Sequence, residues 1–340
     1  AVLSQGNFLC QINWLAVDFL ERNGLCDCGR LTSDLTKAED FLCAFKDDEG
    51  KLPNIGDSDD GFAVAPGVKP QRAEPVPCSP PSISMFNDSG YTVIRGPNGL
   101  VLTFDHGPLG LPPLYNHGHA DALSFTLSIK GKPILIDSGT YRYNGAPMWR
   151  RYFKGTRAHN TVTIDNQDQA VQETPFIWSK PFKTDLLYST GLDGRFITKA
   201  VHDGYTRLSN PVRHARTLCS FSHRDFIIRD TFQGGGRHIF ELNYHLHPLV
   251  TWENEADWWT LDFEGTRLYI RVLDASDFGI VFRQENPPFG WYSSSYGRKQ
   301  GTSVLTCRKS GKPDQTSFVT VISTERPLSI EDLEEKLKRF

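Results

Sequence analysis

The apolar residues of this 340-residue chain change their spacing partway along it. In residues 7–48 they recur every three to four positions, and from residue 91 onward they alternate with polar residues in short runs. Alternate positions share one face of a strand, whereas positions three and four apart share one face of a helix. The first segment is therefore predicted to be helical and the rest to be β-sheet.

The second pattern predicts many strands and no helix between them. The runs are rich in β-branched and aromatic residues, and Gly, Pro, Asn and Asp separate them as turn residues do. The candidate strands are 91–95, 100–105, 123–129, 134–137, 161–165, 195–202, 214–222, 226–231, 238–247, 258–263, 267–273, 279–283, 303–308 and 317–323. Strands without intervening helices favour antiparallel pairing. The predicted fold class is mainly β, a large antiparallel β-sandwich preceded by a short helical segment.

Proline marks the predicted boundary between the two parts. Helices are predicted at residues 7–20 and from Ser33, a plausible N-cap. The stretch 49–85 is dense in proline, which fixes φ and removes backbone donors. We expect helices in 1–60, a linker in 61–85, the β-sandwich in 86–326 and a C-terminal helix in 327–340. Ser329 and Asp332 have capping-box spacing. Because the chain opens within a helical pattern, we also expect further residues upstream.

Composition narrows the classes of partner. No apolar run approaches the roughly 18 residues that a membrane helix needs, so we expect a soluble protein without a membrane partner. A pI near 6.4 and the lack of a broad basic stretch argue against nucleic acid. The seven cysteines show no regular spacing, and Cys26 and Cys28 lie too close in sequence for the usual zinc pair. Buried or unpaired thiols are expected, and the compartment stays open.

Positive charge concentrates between residues 138 and 164. This segment contains no Asp or Glu, although the whole chain has a net charge of -3. Its five cations are Arg142, Arg150, Arg151, Lys154 and Arg157, and they lie among Tyr141, Tyr143, Trp149, Tyr152 and Phe153. Guanidinium groups bind carboxylates and sulfates, and aromatic faces stack against sugar rings. An acidic carbohydrate fits this pattern, with a simply solvated basic loop as the alternative.

A predicted β-hairpin brings residues that commonly bind metals together, although they are far apart in the sequence. If 123–129 turns at residues 130–132 and returns as 134–137, antiparallel pairing places Asp137 roughly opposite Ser124. The segment with His119 leaves from the same end, and a strand starting at His159 can enter there. Two imidazoles and a carboxylate suit zinc with one further position. The alternative is that these are ordinary polar residues at strand ends.

Further histidines flank this site in the sequence. His117 and His119 alternate around Gly118 in a segment expected to be extended, so both can face one side, one toward metal and the other toward substrate. They can equally be structural. For His245 and His247, together with His238, we favour a structural or site-wall role.

The chain resembles the heparinase II/III-like polysaccharide lyases in its C-terminal part. The motifs are NHGHADALSF at 116–125, LIDSGTY at 135–141, RYF at 151–153, TRAHNTV at 156–162, and GWYS at 290–293 with YG at 296–297. GDSDDG at 56–61 resembles the exit from that family's helical domain. The resemblance implies the last helices of an (α/α) toroid followed by an antiparallel β-sandwich, with a polysaccharide cleft between them.

The resemblance also implies site residues. These are His119, Asp137 and His159 for zinc, His117 and Arg142 facing the substrate, and Tyr152 as a second catalytic candidate beside His117. The basic, aromatic segment adds Tyr143 and Arg151 as substrate-binding candidates, and Asn160 is a further candidate donor to the substrate. The family's catalytic tyrosine and its asparagine or histidine partner belong to the toroid and have no match here. A periplasmic or secreted location is expected from the same resemblance.

The implied reaction is β-elimination at a uronic acid, in which donors offset the carboxylate's charge as an enolate-like transition state forms. The expected partner is an anionic polysaccharide, and the expected cofactor is zinc in a structural role. Two alternatives are a non-catalytic carbohydrate-binding sandwich and a zinc hydrolase.

Overall fold

The computed structural model of the protein describes residues 3–58, 61, 64–68, 82–192, 195–220, 222–255, 257–275, 277–329, 331–332 and 335. The helices of this part are α1 (Leu3–Arg22), α2 (Gly29–Phe45) and α3 (Pro147–Lys154). None of the helices that the structure describes is long and apolar enough to cross a membrane.

The rest of the described chain is built mainly from strands. They are β1 (Ser82–Phe86), β2 (Tyr91–Gly96), β3 (Leu100–Asp105), β4 (Phe125–Ile129), β5 (Lys132–Leu135), β6 (Val162–Ile164), β7 (Val171–Gln172), β8 (Trp178–Ser179), β9 (Thr184–Leu192), β10 (Arg195–His202), β11 (Val212–Ser220), β12 (Asp225–Gly234), β13 (His238–His245), β14 (Thr251–Glu255), β15 (Trp258–Phe263), β16 (Thr266–Val272), β17 (Gly279–Phe282), β18 (Gln284–Glu285), β19 (Pro288–Phe289), β20 (Trp291–Ser295), β21 (Arg298–Gly301), β22 (Ser303–Gly311) and β23 (Ser317–Ser323).

Three larger sheets form the sandwich. Their strand orders are β1-β2-β3-β4-β5, β14-β15-β16-β23-β12-β11-β10-β9 and β17-β22-β13-β6. An isolated bridge between Leu135 and Leu246 links the first sheet to the third. One apolar core contains residues of all three, for example Phe104, Ile228 and Leu242. The mainly β, antiparallel prediction is confirmed.

The helices cover the outer face of the first sheet. Trp14 of α1 and Phe45 of α2 share a second apolar core with Tyr91, Val93 and Val101 of β2 and β3. In a strand, successive side chains point to opposite faces, so β2 and β3 contribute to both cores. The chain leaving α2 is thereby held against the sheet before it reaches residues 54–58.

Several local predictions differ from the structure. The second helix begins at Gly29 rather than after Ser33, and the Asp27 carboxylate accepts the Gly29 N–H at 2.9 Å. The helix α3 was not predicted, although Pro147 suits a first helical turn. The strands β1, β7, β8, β9, β14, β18, β19, β20 and β21 were also not predicted.

The predicted domain boundaries remain predictions. The strand β1 starts at Ser82, a few residues before the expected start of the sandwich, and 69–81 of the predicted linker lie outside the described residues. At the chain's end the Ser329 hydroxyl accepts the Asp332 N–H at 3.1 Å, and the Asp332 carboxylate accepts the Ser329 N–H at 3.2 Å. The capping-box prediction is confirmed, while most of the predicted C-terminal helix, 327–340, lies outside the described residues.

The predicted hairpin is present with one change in register. Its turn lies between Ile129 and Lys132, and a register shift between Leu127 and Ser128 makes Leu127 pair with Leu135. Asp137 therefore follows the end of β5 by two residues. The loop before β4 and the segment before β6 reach the same end, which sets the position of the candidate site.

Candidate metal and carbohydrate site

A buried carboxylate from the helical part lies at the centre of the candidate site. Asp57 is fully buried, and its two oxygens accept hydrogen bonds from His117 Nδ1 at 3.0 Å and His119 Nε2 at 2.8 Å. Thr140 Oγ1 donates to it at 2.6 Å, and the Arg150 guanidinium binds both oxygens. One side chain that follows α2 thus joins three segments of the sandwich.

These contacts keep Asp57 ionised. Burial alone would raise its pKa, but the hydrogen bonds from His117, His119 and Arg150 hold that pKa well below the ordinary value. An ionised carboxylate can only accept hydrogen bonds. The proton of His119 therefore lies on Nε2, and its Nδ1 carries a lone pair. Nδ1 is buried and has no hydrogen-bond partner among the described residues.

The same reasoning applies to His159. Its Nδ1 contacts Asp137 Oδ2 at 2.7 Å, and burial of Asp137 is outweighed by the charge and hydrogen bond of His159, so the pKa of Asp137 is lowered. His159 Nδ1 therefore donates to Asp137, and His159 Nε2 is buried without a hydrogen-bond partner among the described residues. Burial opposes protonation of His159, but Asp137 raises its pKa on balance.

His119, Asp137 and His159 converge as a potential ligand set. One ligand atom from each lies within 4.8 Å of the others, and all three residues are buried, with exposures of 2%, 3% and 0%. Two imidazoles and one carboxylate are the ligand types that zinc accepts. Asp57 behind His119 supplies the outer carboxylate that commonly fixes the tautomer of a metal-bound histidine. The residues therefore fit a zinc ion.

Backbone contacts fix the position of the carboxylate ligand. Asp137 Oδ1 accepts the N–H of Gly139 at 2.9 Å and that of Gly56 at 3.1 Å. The second N–H belongs to Gly56, the residue before Asp57. The segment after α2 therefore contacts two residues of the potential ligand set, Asp137 through Gly56 and His119 through Asp57. Burial lowers the pKa of His119 to about 4, which keeps its imidazole neutral at pH 7.

The loop around Gly118 is not extended, contrary to the prediction. His117 has a φ of 64°, and a Cβ at Gly118 would lie 1.8 Å from the Leu109 carbonyl oxygen. The loop therefore requires glycine at 118. The two histidines nevertheless face the same side, because both bind Asp57 rather than because they alternate along a strand. The His117 side chain is 35% exposed, whereas His119 is fully enclosed.

Two predicted site residues are placed where substrate cannot reach them. Asn160 is fully buried, its amide donates to Phe125 O at 2.8 Å and Ile136 O at 2.9 Å, and its oxygen accepts the His245 N–H at 2.6 Å. These bonds use its side chain to join β4, the end of β5 and β13. Asn160 is therefore a structural residue, which corrects its predicted substrate-binding role.

Tyr152 lies in α3 and points into the protein. It is 7% exposed, and its hydroxyl oxygen accepts the Trp291 N–H at 3.2 Å. Burial raises its pKa to about 12, which makes it a poor proton acceptor at neutral pH. The predicted catalytic role of Tyr152 is therefore replaced by a packing role.

Most of the predicted basic loop is committed to internal contacts. Arg150 and Lys154 are buried, Lys154 Nζ donates to Pro175 O at 2.9 Å, and Arg157 pairs with Glu241 at 2.6 Å. For these three cations, both the prediction of a ligand-binding cluster and the alternative of a solvated loop are therefore wrong.

Three of the predicted substrate-binding residues remain at the surface. Arg142 and Arg151 are exposed, and the half-buried Tyr143 ring lies 5.8 Å from that of His117. The structure brings Tyr143 and His117 together, with Arg142 next to them in the chain. Arg151 lies one turn into α3, where its carbonyl accepts the Gln172 amide at 2.9 Å.

The histidines for which a structural or site-wall role was predicted, His238, His245 and His247, make contacts within the protein. His245 is buried, its Nε2 donates to Arg157 O at 3.0 Å, and burial lowers its pKa to about 3. His238 bonds Asp165 at 2.6 Å, and His247 stacks on Phe263 with ring centroids 4.9 Å apart.

Asp57 and Arg150 are the residues that sequence reasoning missed. Asp57 stands within GDSDDG, where several acidic residues look alike, and Arg150 looked like one of five similar cations. The sequence did indicate that Arg150 pairs with a distant residue, because residues 138–164 contain no Asp or Glu. Its partner lies 93 residues away, a separation that no local pattern indicates.

Comparison with known sequences identifies relatives of the chain. A family model described as "Heparinase II/III-like, C-terminal" matches residues 79–322. A heparin-sulfate lyase of Bacteroides stercoris is 24% identical over 245 residues, which are 70% of this chain and 34% of the relative. A heparin-sulfate lyase of Pedobacter heparinus is 23% identical over 220 residues, which are 62% of this chain and 30% of the relative.

A solved structure shares the fold. A heparinase III superposes with a TM-score of 0.74 at 18% identity, over 95% of this chain and 51% of that chain. This chain therefore spans about a third of the length of the curated relatives and about half of the solved chain.

Proposed function

The chain belongs to the heparinase II/III-like family through its C-terminal part, residues 79–322, and from this premise we propose that the natural protein cleaves a uronic-acid-containing anionic polysaccharide by β-elimination. The names of the relatives, heparin-sulfate lyases, support a sulfated uronate polymer as the substrate. We further propose that the natural protein contains more residues than this chain, including an upstream helical domain, and that it acts in the periplasm or outside the cell.

The pairing of His117 with Asp57 carries the proposal. Asp57 accepts the Nδ1 proton of His117, so the imidazole is held in one orientation by a fully buried carboxylate. The partly exposed side of the ring lies beside Tyr143 and the loop that carries Arg142. In this proposal an oriented imidazole and an exposed guanidinium line the cleft.

An oriented imidazole suits the difficult step of the reaction. Elimination removes the proton next to the uronate carboxylate, and negative charge develops on that carboxylate in the transition state. His117 donates to the carboxylate when it is protonated, while Arg142 binds an anionic group of the same chain of sugars. Because Asp57 holds the His117 imidazole in place before substrate arrives, that group acts without reorganisation.

We assign the proton acceptor and the acid for the leaving oxygen to the upstream part of the natural protein. A general base needs hydrogen-bonding reach to the proton and a pKa near the working pH. Tyr152 meets neither condition, since it is buried and its pKa is raised by burial to about 12. In this proposal the present chain supplies one wall of the cleft and the groups that bind the carboxylate.

Zinc is proposed as a structural cofactor held by His119, Asp137 and His159. When bound, it supplies a positive charge that ties the loop before β4, the end of β5 and the segment before β6 together. The three residues are almost fully buried, which favours a structural role over the alternative of a zinc hydrolase. His119 then holds the loop in place, and His117 contacts the substrate.

Product analysis tests the function. The natural protein is incubated with heparan sulfate, chondroitin sulfate and alginate, while ultraviolet absorbance of unsaturated uronate and new reducing ends are followed together. Elimination predicts that both rise in equal amounts on at least one polymer. New reducing ends without absorbance would identify a hydrolase, and binding without either signal would identify a carbohydrate-binding protein.

A further inference from the structure

Two cysteine thiols contact each other in the turn between α1 and α2. Cys26 Sγ and Cys28 Sγ lie 3.6 Å apart, and Asp27 alone separates the two residues in the sequence. Both are free thiols, and Cys26 is exposed, whereas Cys28 is buried with an exposure of 5%. The pair is not part of the potential zinc ligand set or of the surface around His117.

Hydrogen bonds hold the turn on both sides of the two thiols. At the end of α1, Gly24 has a φ of 61°, and the Leu25 N–H donates to Leu20 O at 3.0 Å, as in a Schellman motif. At the start of α2, the Thr32 N–H donates to Cys28 O at 2.8 Å. The backbone on either side is therefore fixed, and it keeps the two thiols next to each other.

Metal binding is the alternative use of two neighbouring thiols. A zinc site in a protein needs three or four protein ligands. Within the described part of the chain, His119, Asp137 and His159 are the one group of three or more such ligand residues that converges. The two thiols therefore have no third ligand residue there, and their remaining shared chemistry is oxidation to a disulfide.

We propose that Cys26 and Cys28 are a reversible redox pair, which a low-molecular-weight disulfide oxidises to a Cys26–Cys28 disulfide that stabilises the first turn of α2. The Cys26 thiolate attacks one sulfur of the incoming disulfide, forms a mixed disulfide and releases the other half as a thiol. Cys28 then loses its proton, attacks Cys26 Sγ and releases the second half as a thiol. Two electrons and both cysteine protons thus pass to the external disulfide, which becomes two thiols. This inference does not depend on the proposed function.

The surroundings of the two sulfurs set the order of these steps. Thiol–disulfide exchange begins with a thiolate that the incoming disulfide can reach, and Cys26 is the exposed member of the pair. Burial raises the pKa of the Cys28 thiol, and so do the Cys26 thiol and two nearby carboxylates. Cys28 therefore stays a buried thiol until a mixed disulfide forms on Cys26 beside it. Rotation of the exposed Cys26 side chain then brings the sulfurs to the bonding distance of about 2 Å.

The disulfide closes a small ring at the start of α2. The ring contains a single intervening residue, Asp27, so its backbone has little freedom. Strained or exposed disulfides have more oxidising potentials, and thiols therefore reopen them readily. The ring also restrains Cys28, whose carbonyl oxygen accepts the Thr32 N–H in the first turn of α2. Opening of that turn is therefore less favourable in the oxidised protein than in the reduced protein.

Trypsin isolates the pair on one peptide, which makes the reaction measurable. Cleavage after Arg22 and Arg30 releases residues 23–30, and this peptide contains Cys26 and Cys28 and no other cysteine. The natural protein is equilibrated with oxidised and reduced glutathione at several ratios, quenched with iodoacetamide and digested. Excess oxidised glutathione should give an unlabelled peptide that is two hydrogen atoms lighter than its dithiol form, and excess reduced glutathione should give a doubly labelled peptide. A doubly labelled peptide at every ratio, or a stable glutathione adduct on it, overturns the proposal.

Single variants test the order of the steps, and a third cysteine is the internal control. In Cys28→Ser the reaction stops after the first step, so the peptide should keep one glutathione on Cys26. In Cys26→Ser, which alters an exposed side chain, Cys28 should stay a thiol at every ratio. Cys307, which is 1% exposed, should stay a thiol throughout. If Cys28→Ser does not fold, Cys26→Ser still decides the matter, because oxidation of Cys28 in that variant overturns the assigned order.

Hydrogen exchange tests the effect on α2. The Thr32 N–H, which donates to Cys28 O, should exchange several-fold more slowly in the oxidised protein than in the reduced protein. Cys26→Ser should show one rate under both conditions, because it cannot form the ring. Equal rates in the oxidised and reduced parent overturn the proposed stabilisation of α2.

Discussion

Replacing Asp57 by asparagine tests the central contact of the site. The substitution keeps the shape of the side chain but removes its charge and turns one acceptor oxygen into an amide donor. Five donor groups face the carboxylate in the structure, from His117, His119, Thr140 and both ends of the Arg150 guanidinium. An amide NH2 must therefore point at another donor. Arg150, which is 1% exposed, is left without a counter-charge.

The expected loss of stability follows from the buried pair. Breaking a buried ion pair from one side costs roughly 3–5 kcal/mol, because the remaining charge stays out of water. In a domain of this size the loss lowers Tm by on the order of 10 °C. His119 also loses the acceptor that fixes its tautomer, and disruption of such an outer partner lowers metal affinity about 10- to 100-fold.

Urea denaturation and zinc titration of Asp57→Asn measure both effects. Asp48→Asn is the matched control, because Asp48 also pairs with an arginine, at 3.3 Å from Arg95, but is 57% exposed. Because the Asp48 carboxylate is exposed, and the buried Arg95 guanidinium keeps the Ala44 and Lys46 carbonyl oxygens as acceptors, we expect a loss within about 1 kcal/mol and no change in zinc affinity. Adding Arg150→Met to Asp57→Asn removes the uncompensated charge and should recover more than 1 kcal/mol. The reasoning is refuted if Asp57→Asn behaves like Asp48→Asn, or if the double variant shows purely additive losses.

Three further outcomes are expected. Metal analysis should show one zinc per chain in the parent and in His117→Ala, but loss of zinc in His119→Ala and His159→Ala; zinc retained in the latter two would contradict the ligand set. The free energy of unfolding, measured by urea denaturation between pH 7 and pH 5, should fall as the pH falls. Burial lowers the pKa of His245 to about 3 in the folded protein, whereas the pKa of an unfolded histidine is near 6.5. The unfolded state therefore binds more protons than the folded state between pH 7 and pH 5. His245 alone then lowers the free energy of unfolding by about 2 kcal/mol at pH 5. A flat profile would show that His245 is not buried as a neutral imidazole. By the same assay, Asn160→Ala should lower the free energy of unfolding by roughly 3–5 kcal/mol, because it removes the side-chain partner of three buried backbone groups. A loss under 1 kcal/mol would show that Asn160 has no structural role.

The alternation of apolar residues was sufficient to predict the fold class. The strands β3, β10, β15 and β23 were predicted with the bounds that the structure has. In β10 buried residues alternate with more exposed ones, which gives a regular pattern, whereas β3 is buried on both faces and was recognised by its short apolar run between turn residues. The strand β14 was not predicted, since all its residues are exposed at a sheet edge and carry no such pattern. The helix α3 was missed because it is only eight residues long and its apolar positions are aromatic, as in strands.

The candidate site was only partly predictable for a related reason. His119, Asp137 and His159 were brought together by the hairpin geometry, which depends on local pairing. The partners that decide the state of these groups come from distant segments, such as Asp57 from the helical part. Burial also decided the outcome for Asn160 and Tyr152, whose side chains look equally suitable for substrate in the sequence. The pattern of one sequence shows neither which distant residues pair nor the direction in which such a side chain points.

Mass balance of the products tests elimination at a uronate most directly. The natural protein is given one defined, sulfated oligosaccharide that contains a single cleavable uronate linkage, and the masses of the two fragments are measured. Elimination predicts that they sum to the mass of the substrate, with one fragment unsaturated, and that His117→Ala forms the same fragments far more slowly while keeping its zinc. Fragments whose masses sum to the substrate plus one water would contradict β-elimination.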